Sequence, residues 1–191
     1  NYNKPFLLQI TDDLFPYSRF PWCSDSFNKI YMDEQVRFAL SLDNDIQKNL
    51  VVRLHYNQSR LGVDQKKYWK EKAPYICIDD GFSSINKLIA KSRVVVSTYN
   101  ATSFLETLAL DIPTIMFWSI DKSPVDDEAK PYFDILLKCG IFHNTPESAA
   151  NHISLIWNNV SDWWEHEDVQ KAKISFCNHF SRNIENPIGF I

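Results

Sequence analysis

Glycine is scarce in this chain, with four residues in 191. A phosphate loop of the G-x-G-x-x-G or P-loop kind needs several glycines within one turn, so neither is available. The four cysteines, Cys23, Cys77, Cys139 and Cys177, stand 54, 62 and 38 residues apart. That spacing fits neither a CxxC metal knuckle nor the dense pattern of a secreted disulfide scaffold, and they are read as reduced thiols with no structural metal. No apolar run reaches eighteen residues and no charged-then-apolar leader is visible, so the expectation is a chain that neither spans a membrane nor directs its own export. The cytoplasm is the expected location, with the inner-membrane surface as a peripheral position for a longer protein. Three N-x-[ST] sites, at Asn57, Asn100 and Asn159, are then read as chance matches. A basic footprint is also missing: the formal net charge is −4, so nucleic acid is not an expected partner and an anionic ligand must be held by a local site.

What is present is a globular composition, 45% hydrophobic and 23% charged, enough for one substantial core and one domain. Short apolar runs alternate with amphipathic segments. Strand patterns fall at Phe6 to Ile10, Leu50 to Leu54, Tyr75 to Ile78, Arg93 to Val96 and Pro113 to Phe117. Helix patterns fall at Asp33 to Lys48, Asp64 to Lys72, a segment capped by Ser83 or Ser84 and running to Lys91, and Thr102 to Leu110, with Asp12 to Asn28 a Pro- and aromatic-rich loop. Strands joined by helices rather than hairpin turns predict parallel βαβ units, hence a doubly wound, Rossmann-like α/β sheet with helices on both faces. After Trp118 the pattern turns helical, with Lys130 to Cys139, Pro146 to Trp157 and Asp168 to Phe180, and predicts a helical C-terminal tail. Thr145 followed by Pro146 is a helix-start signal.

The segment VVVSTYNATSFLETLALDIPTIMFW, Val94 to Trp118, carries the chemistry. In an open parallel sheet, ligands bind beyond the carboxyl ends of the strands. A helix starting near Thr102 offers its first amide hydrogens and its positive dipole end there, which suits a phosphate. Ser97, Thr98, Asn100, Thr102 and Ser103 add donors in place of glycines. Glu106 lies one turn further along the same side of the helix and could accept the two hydroxyls of a ribose. The same spacing also fits a capping box, with Thr102 or Ser103 as N-cap and Glu106 returning to the backbone.

The pattern Ser97-x-Tyr99-Asn100-x-Thr102-x-x-Leu105-Glu106-x-Leu108, followed by Pro113-Thr114 and Phe117-Trp118, resembles the donor-domain signature of a family of bacterial surface-polysaccharide and O-antigen transferases. It is similar more loosely to the C-terminal, nucleotide-sugar half of two-domain GT-B glycosyltransferases. Thr145 to Ala150 and Trp163-Trp164 resemble later segments of that family, and the likeness runs over roughly residues 50 to 180. The resemblance implies a single nucleotide-sugar-binding domain, residues 1–191, of a longer two-domain glycosyltransferase. It implies phosphate at the helix tip, ribose at Glu106, a CMP-, UDP- or GDP-linked sugar as donor substrate, no cofactor and no metal. The glycan acceptor and the catalytic group would come through the other half.

Within that frame Arg53, at the exit of its strand, becomes a second phosphate ligand, with a surface ion pair as its plain alternative. Asp80, Gly81 and Phe82, after the next strand, become base contacts or an ordinary turn. Arg19 and His55 are candidates for the cleft. Asp126, Asp127 and Glu128 read as a solvated face, and Trp157, Trp163 and Trp164 as core or docking residues rather than a sugar platform. A nucleotide-sugar epimerase of similar architecture and a non-catalytic interaction module stand as the other classes.

Overall fold

The computed structural model describes residues 6–11, 25–56, 64–100, 102–120 and 124–181, with backbone only for residues 25–28. Among these residues six strands form one sheet: β1 (Phe6–Ile10), β2 (Leu50–Arg53), β3 (Cys77–Asp79), β4 (Ser92–Ser97), β5 (Thr114–Phe117) and β6 (Phe142–His143). Their order is β3-β2-β1-β4-β5-β6 and every pairing is parallel. The chain therefore starts in the middle, builds outward to β3, then returns beside β1 and builds the other way. The reversal between β1 and β4 is the topological switch point.

The helices are α1 (Asp25–Ser41), α2 (Asn44–Gln47), α3 (Gln65–Lys72), α4 (Ile85–Lys91), α5 (Thr102–Ala109), α6 (Lys130–Lys138), α7 (Pro146–Ile156), α8 (Val160–Trp164) and α9 (Glu167–Phe180). Strand alternation assigns them to layers. Leu7, Leu50, Val52, Val94, Val96, Ile115 and Phe117 point to one face and pack with residues of α1, α3 and α7, among them Met32, Phe38, Trp69, Ala149 and Ile153. On the other face Leu8, Ile10 and Val95 pack with α4, and Met116 and Phe142 with α5, α6 and α9. Side chains buried on both faces are why the central strands read as unbroken β-branched runs. Each fully buried Leu, Val or Phe contributes roughly 1.5–3 kcal/mol against leaving it in water, and this sum opposes the ordering entropy of the long crossovers.

The sheet and the layering agree with the doubly wound reading, and two details differ from it. The predicted helix Asp33 to Lys48 is two helices: α1 begins at Asp25 and ends at Ser41, and α2 restarts after Asp43. Gln47 explains the tight junction, because its Nε2 donates to the carbonyls of Leu42, at 2.7 Å, and Leu40, at 3.2 Å. The C-terminal tail is not purely helical either, since Phe142 and His143 add β6 beside Met116 and Phe117. Two residues are too few to show a period; their strand character comes from the pairing. Thr145 does cap α7, its Oγ1 accepting from Ser148 N at 3.2 Å.

Candidate nucleotide-binding site

At the switch point the exits of β1 and β4 lie side by side, with Ile10 opposite Ser97. Thr98 closes this gap. Its Oγ1 donates to the Ile10 carbonyl at 3.0 Å and lies 2.8 Å from the Tyr31 hydroxyl of α1, which donates to it. Thr98 is 2% exposed, so its hydroxyl holds strand, strand and helix together rather than facing a ligand. Ser97 is fully buried and its Oγ lies 3.0 Å from Ser103 Oγ, which fastens the start of α5 to the end of β4. These contacts at the end of β4, one buried and one partly buried, fasten α5 to the strand exit. Beyond them Asn100 and Thr102 are exposed and Ser103 is half-buried, so the polar groups presented to solvent gather at the α5 N-terminus.

Glu106 is exposed on α5, one turn beyond that tip. A capping box needs an N-cap hydroxyl three residues before the glutamate. Ser103, which has that spacing, lies inside the helix with its hydroxyl against Ser97. Ser103 therefore does not serve as the N-cap of that box.

Arg53 ends β2, two strand positions from β4, and its guanidinium turns the other way, toward β3. Nη1 donates to Asp79 Oδ1 at 2.7 Å and to the Ser83 carbonyl at 2.9 Å, and Nη2 donates to the Gly81 carbonyl at 3.0 Å. The structure does not bring Arg53 to the α5 tip. It brings Arg53 to the second candidate group instead: Asp80, Gly81 and Phe82 form the turn after β3. Asp80 pairs with Lys66 at 3.3 Å. Gly81 has φ +89°, open to glycine and strained for other residues. Phe82 is 80% exposed. His55 stacks at a tilt on Tyr56, with ring centroids 4.5 Å apart. Arg19 lies outside the described residues. Asp126, Asp127 and Glu128 are exposed, and Trp164 is fully buried.

Some polar groups near these strand ends were not legible. Gln9 sits in β1, fully buried, and its Nε2 donates to Gln35 Oε1 of α1 at 2.8 Å. Thr11 Oγ1 donates to the Arg53 carbonyl at 3.0 Å. The Tyr68 hydroxyl donates to the Asp33 carboxylate, and burial, then Asp33, push its pKa up to about 12. A glutamine inside the run FLLQI was the available signal for this layer; its partner on α1 is 26 residues away.

A cavity of about 690 Å³ lies elsewhere, between α6, α8 and α9, lined by Ile135, Cys139, Trp163 and Val169 among others. It holds none of the candidate nucleotide-site residues, and burial, then Asp168, push the Cys139 thiol up, which keeps it protonated. Strand ends, helix tip and exposed polar groups converge at the switch point instead. Among the described residues no three His, Cys, Asp or Glu side chains gather to hold a metal ion, and no helix is long and apolar enough to cross a membrane.

Compared with known proteins, the chain matches no curated protein and no solved structure. The profile described as LIC12162 family transferase matches residues 3–191, nearly the whole chain. A transferase assignment agrees with a parallel α/β sheet whose switch point carries a polar helix tip. The chain belongs to the LIC12162 transferase family.

Proposed function

We propose that the chain is the nucleotide-sugar-binding half of a GT-B-type glycosyltransferase that builds bacterial surface polysaccharide. One observation carries the reading: the Ser97 to Ser103 turn starts α5 at the switch point, with Asn100 and Thr102 outward and Glu106 exposed one turn on. A phosphate at the tip is met by amide hydrogens, hydroxyls and the helix dipole. Glu106 accepts from the ribose. The base then extends along the strand ends toward the β3 exit, where Asp80, Gly81 and Phe82 stand. The nucleotide in this reading lies across the carboxyl ends of the strands rather than along one strand.

In this reading the turn stabilises the negative charge of the departing nucleotide, and the acceptor and catalytic base or nucleophile belong to a second domain. The donor is a CMP-, UDP- or GDP-linked sugar. The test is a thermal-shift panel of CMP, UDP, GDP and their sugars, followed by calorimetry, because a ligand specific for the native state raises its melting temperature by mass action. A rise with one nucleotide series supports the proposal. No rise with any of them at millimolar concentration refutes it.

A further inference from the structure

Arg53 turns away from the predicted phosphate, and what it holds has a use of its own. Its three donated hydrogen bonds reach a side chain and two main-chain carbonyls of one turn: Asp79, Gly81 and Ser83. Asp79 Oδ1 also accepts from Gly81 N at 3.0 Å, and Leu54 N donates to the Asp79 carbonyl at 2.8 Å. The contact is close on the other side too. A Cβ on Gly81 would stand 2.5 Å from Tyr56 N and 2.7 Å from the Leu54 carbonyl oxygen. The turn after β3 is thus pressed against the segment after β2, main chain on main chain, and tied there by a guanidinium fork.

The tie is sheltered. The Arg53 and Asp79 side chains are only 15% and 11% exposed, so the pair is screened less than a surface ion pair. A planar fork with several fixed donors also loses less freedom per bond than a lysine would. The two segments it joins carry Phe82, 80% exposed, and Tyr56, 57% exposed with the His55 ring against it. Aromatic faces set on a rigid turn at the carboxyl end of a parallel sheet are suited to a planar ring.

We infer that Arg53 is a positioning residue: it locks the Asp79 to Ser83 turn onto the Leu54 to Tyr56 segment, presenting Phe82 and Tyr56 as a preorganised stacking surface for the donor's nucleobase. The inference rests on the nucleotide-sugar reading above and reassigns Arg53 within it, from the phosphate to the base. Preorganisation is where the affinity comes from, since an aromatic on a loose turn must be ordered at the moment of binding.

The experiment uses the full 191-residue chain and compares three ligands of the nucleotide series that binds best: the nucleoside, the nucleoside monophosphate, and ribose 5-phosphate, which has no base. The variants are Arg53→Ala, Arg53→Lys and Phe82→Ala, each checked for folding by circular dichroism. Arg53→Ala is expected to weaken nucleoside and monophosphate by the same factor, about tenfold, and to leave ribose 5-phosphate unchanged. Arg53→Lys keeps the charge but loses the fork, and is expected to behave like Arg53→Ala. Phe82→Ala is expected to reproduce the loss, and adding it to Arg53→Lys to cost little more, because both act on one surface.

A loss confined to the two phosphorylated ligands, rescued by lysine, makes Arg53 a phosphate ligand and overturns the inference. So does an equal loss on all three ligands, which is what a merely structural role gives. If Arg53→Ala does not fold, the exposed Phe82→Ala decides: unchanged nucleoside affinity overturns the stacking surface. A wild-type chain that binds no nucleotide overturns the nucleotide reading itself; one that binds nucleotide with Phe82 and Arg53 both indifferent overturns this inference alone.

Discussion

Acid should unfold this domain earlier than its carboxylates alone would require, and His143 is the reason. His143 ends β6, is 6% exposed, and lies with Nε2 3.0 Å from the Gly140 carbonyl and Nδ1 2.8 Å from Ser148 Oγ. Only a donor can face the carbonyl, so the neutral ring carries its proton on Nε2 and accepts from Ser148 on Nδ1. A second ring, His152, stands with its centroid 5.3 Å away. Burial, then the neighbouring His152, lower the His143 pKa from 6.5 to about 4, against a smaller opposing effect of the Gly140 carbonyl. Burial also lowers His152.

The sign follows from linkage. Between pH 6.5 and 4 the unfolded chain binds a proton at this position and the folded chain does not, so stability is full above pH 6.5 and falls as pH drops toward 4. At about 1.4 kcal/mol per pH unit, the loss from His143 alone reaches about 3 kcal/mol. The assay is urea unfolding from pH 7.5 to 4 for wild type and His143→Gln, because the difference between the two removes the carboxylates they share. The variant is expected to start less stable at pH 7.5 and to lose about 3 kcal/mol less on acidification. Parallel curves would refute the buried neutral ring.

Other expectations follow from single contacts. Glu106→Gln is expected to weaken nucleotide binding by about 1–3 kcal/mol by calorimetry, with the unfolding midpoint unchanged because the side chain is exposed; equal affinity with a lower midpoint would give Glu106 a purely structural part. Gly140→Ala should destabilise by more than about 1 kcal/mol in chemical denaturation, since φ is +74° and the new Cβ would stand 2.6 Å from the His152 ring. Thr98→Val removes the hydroxyl shared by Ile10 and Tyr31 and should cost about 1–3 kcal/mol of stability; a neutral outcome would mean the switch point closes without it.

The fold was readable where burial on two faces writes itself into composition. Val94 to Val96 could only be a central strand, and the alternation with helices fixed its direction. Phe142 and His143 were not readable, since nothing in two residues distinguishes a strand from a turn until Met116 and Phe117 are beside them. The candidate site divides in the same way. The position of the Ser97 to Ser103 turn at a strand end is local information. The work of its hydroxyls is not: Thr98 is claimed by Ile10 and Tyr31, 88 and 67 residues away, and Arg53 by Asp79, 26 residues on. Sequence shows which polar groups are near a strand exit, and long-range partners decide which of them remain turned outward.

The taper of the sheet has a further consequence. Its outermost strands, β3 with three residues and β6 with two, are its shortest. An exposed strand edge is a template on which another chain can continue the ladder, and its reach grows with its length. Among the described residues each rim therefore offers only a few main-chain groups, too short a landing for an incoming strand to gain much. Extension of the ladder at either of these two rims therefore has little to gain, and the sheet's longest hydrogen-bonded contacts stay between its own central strands.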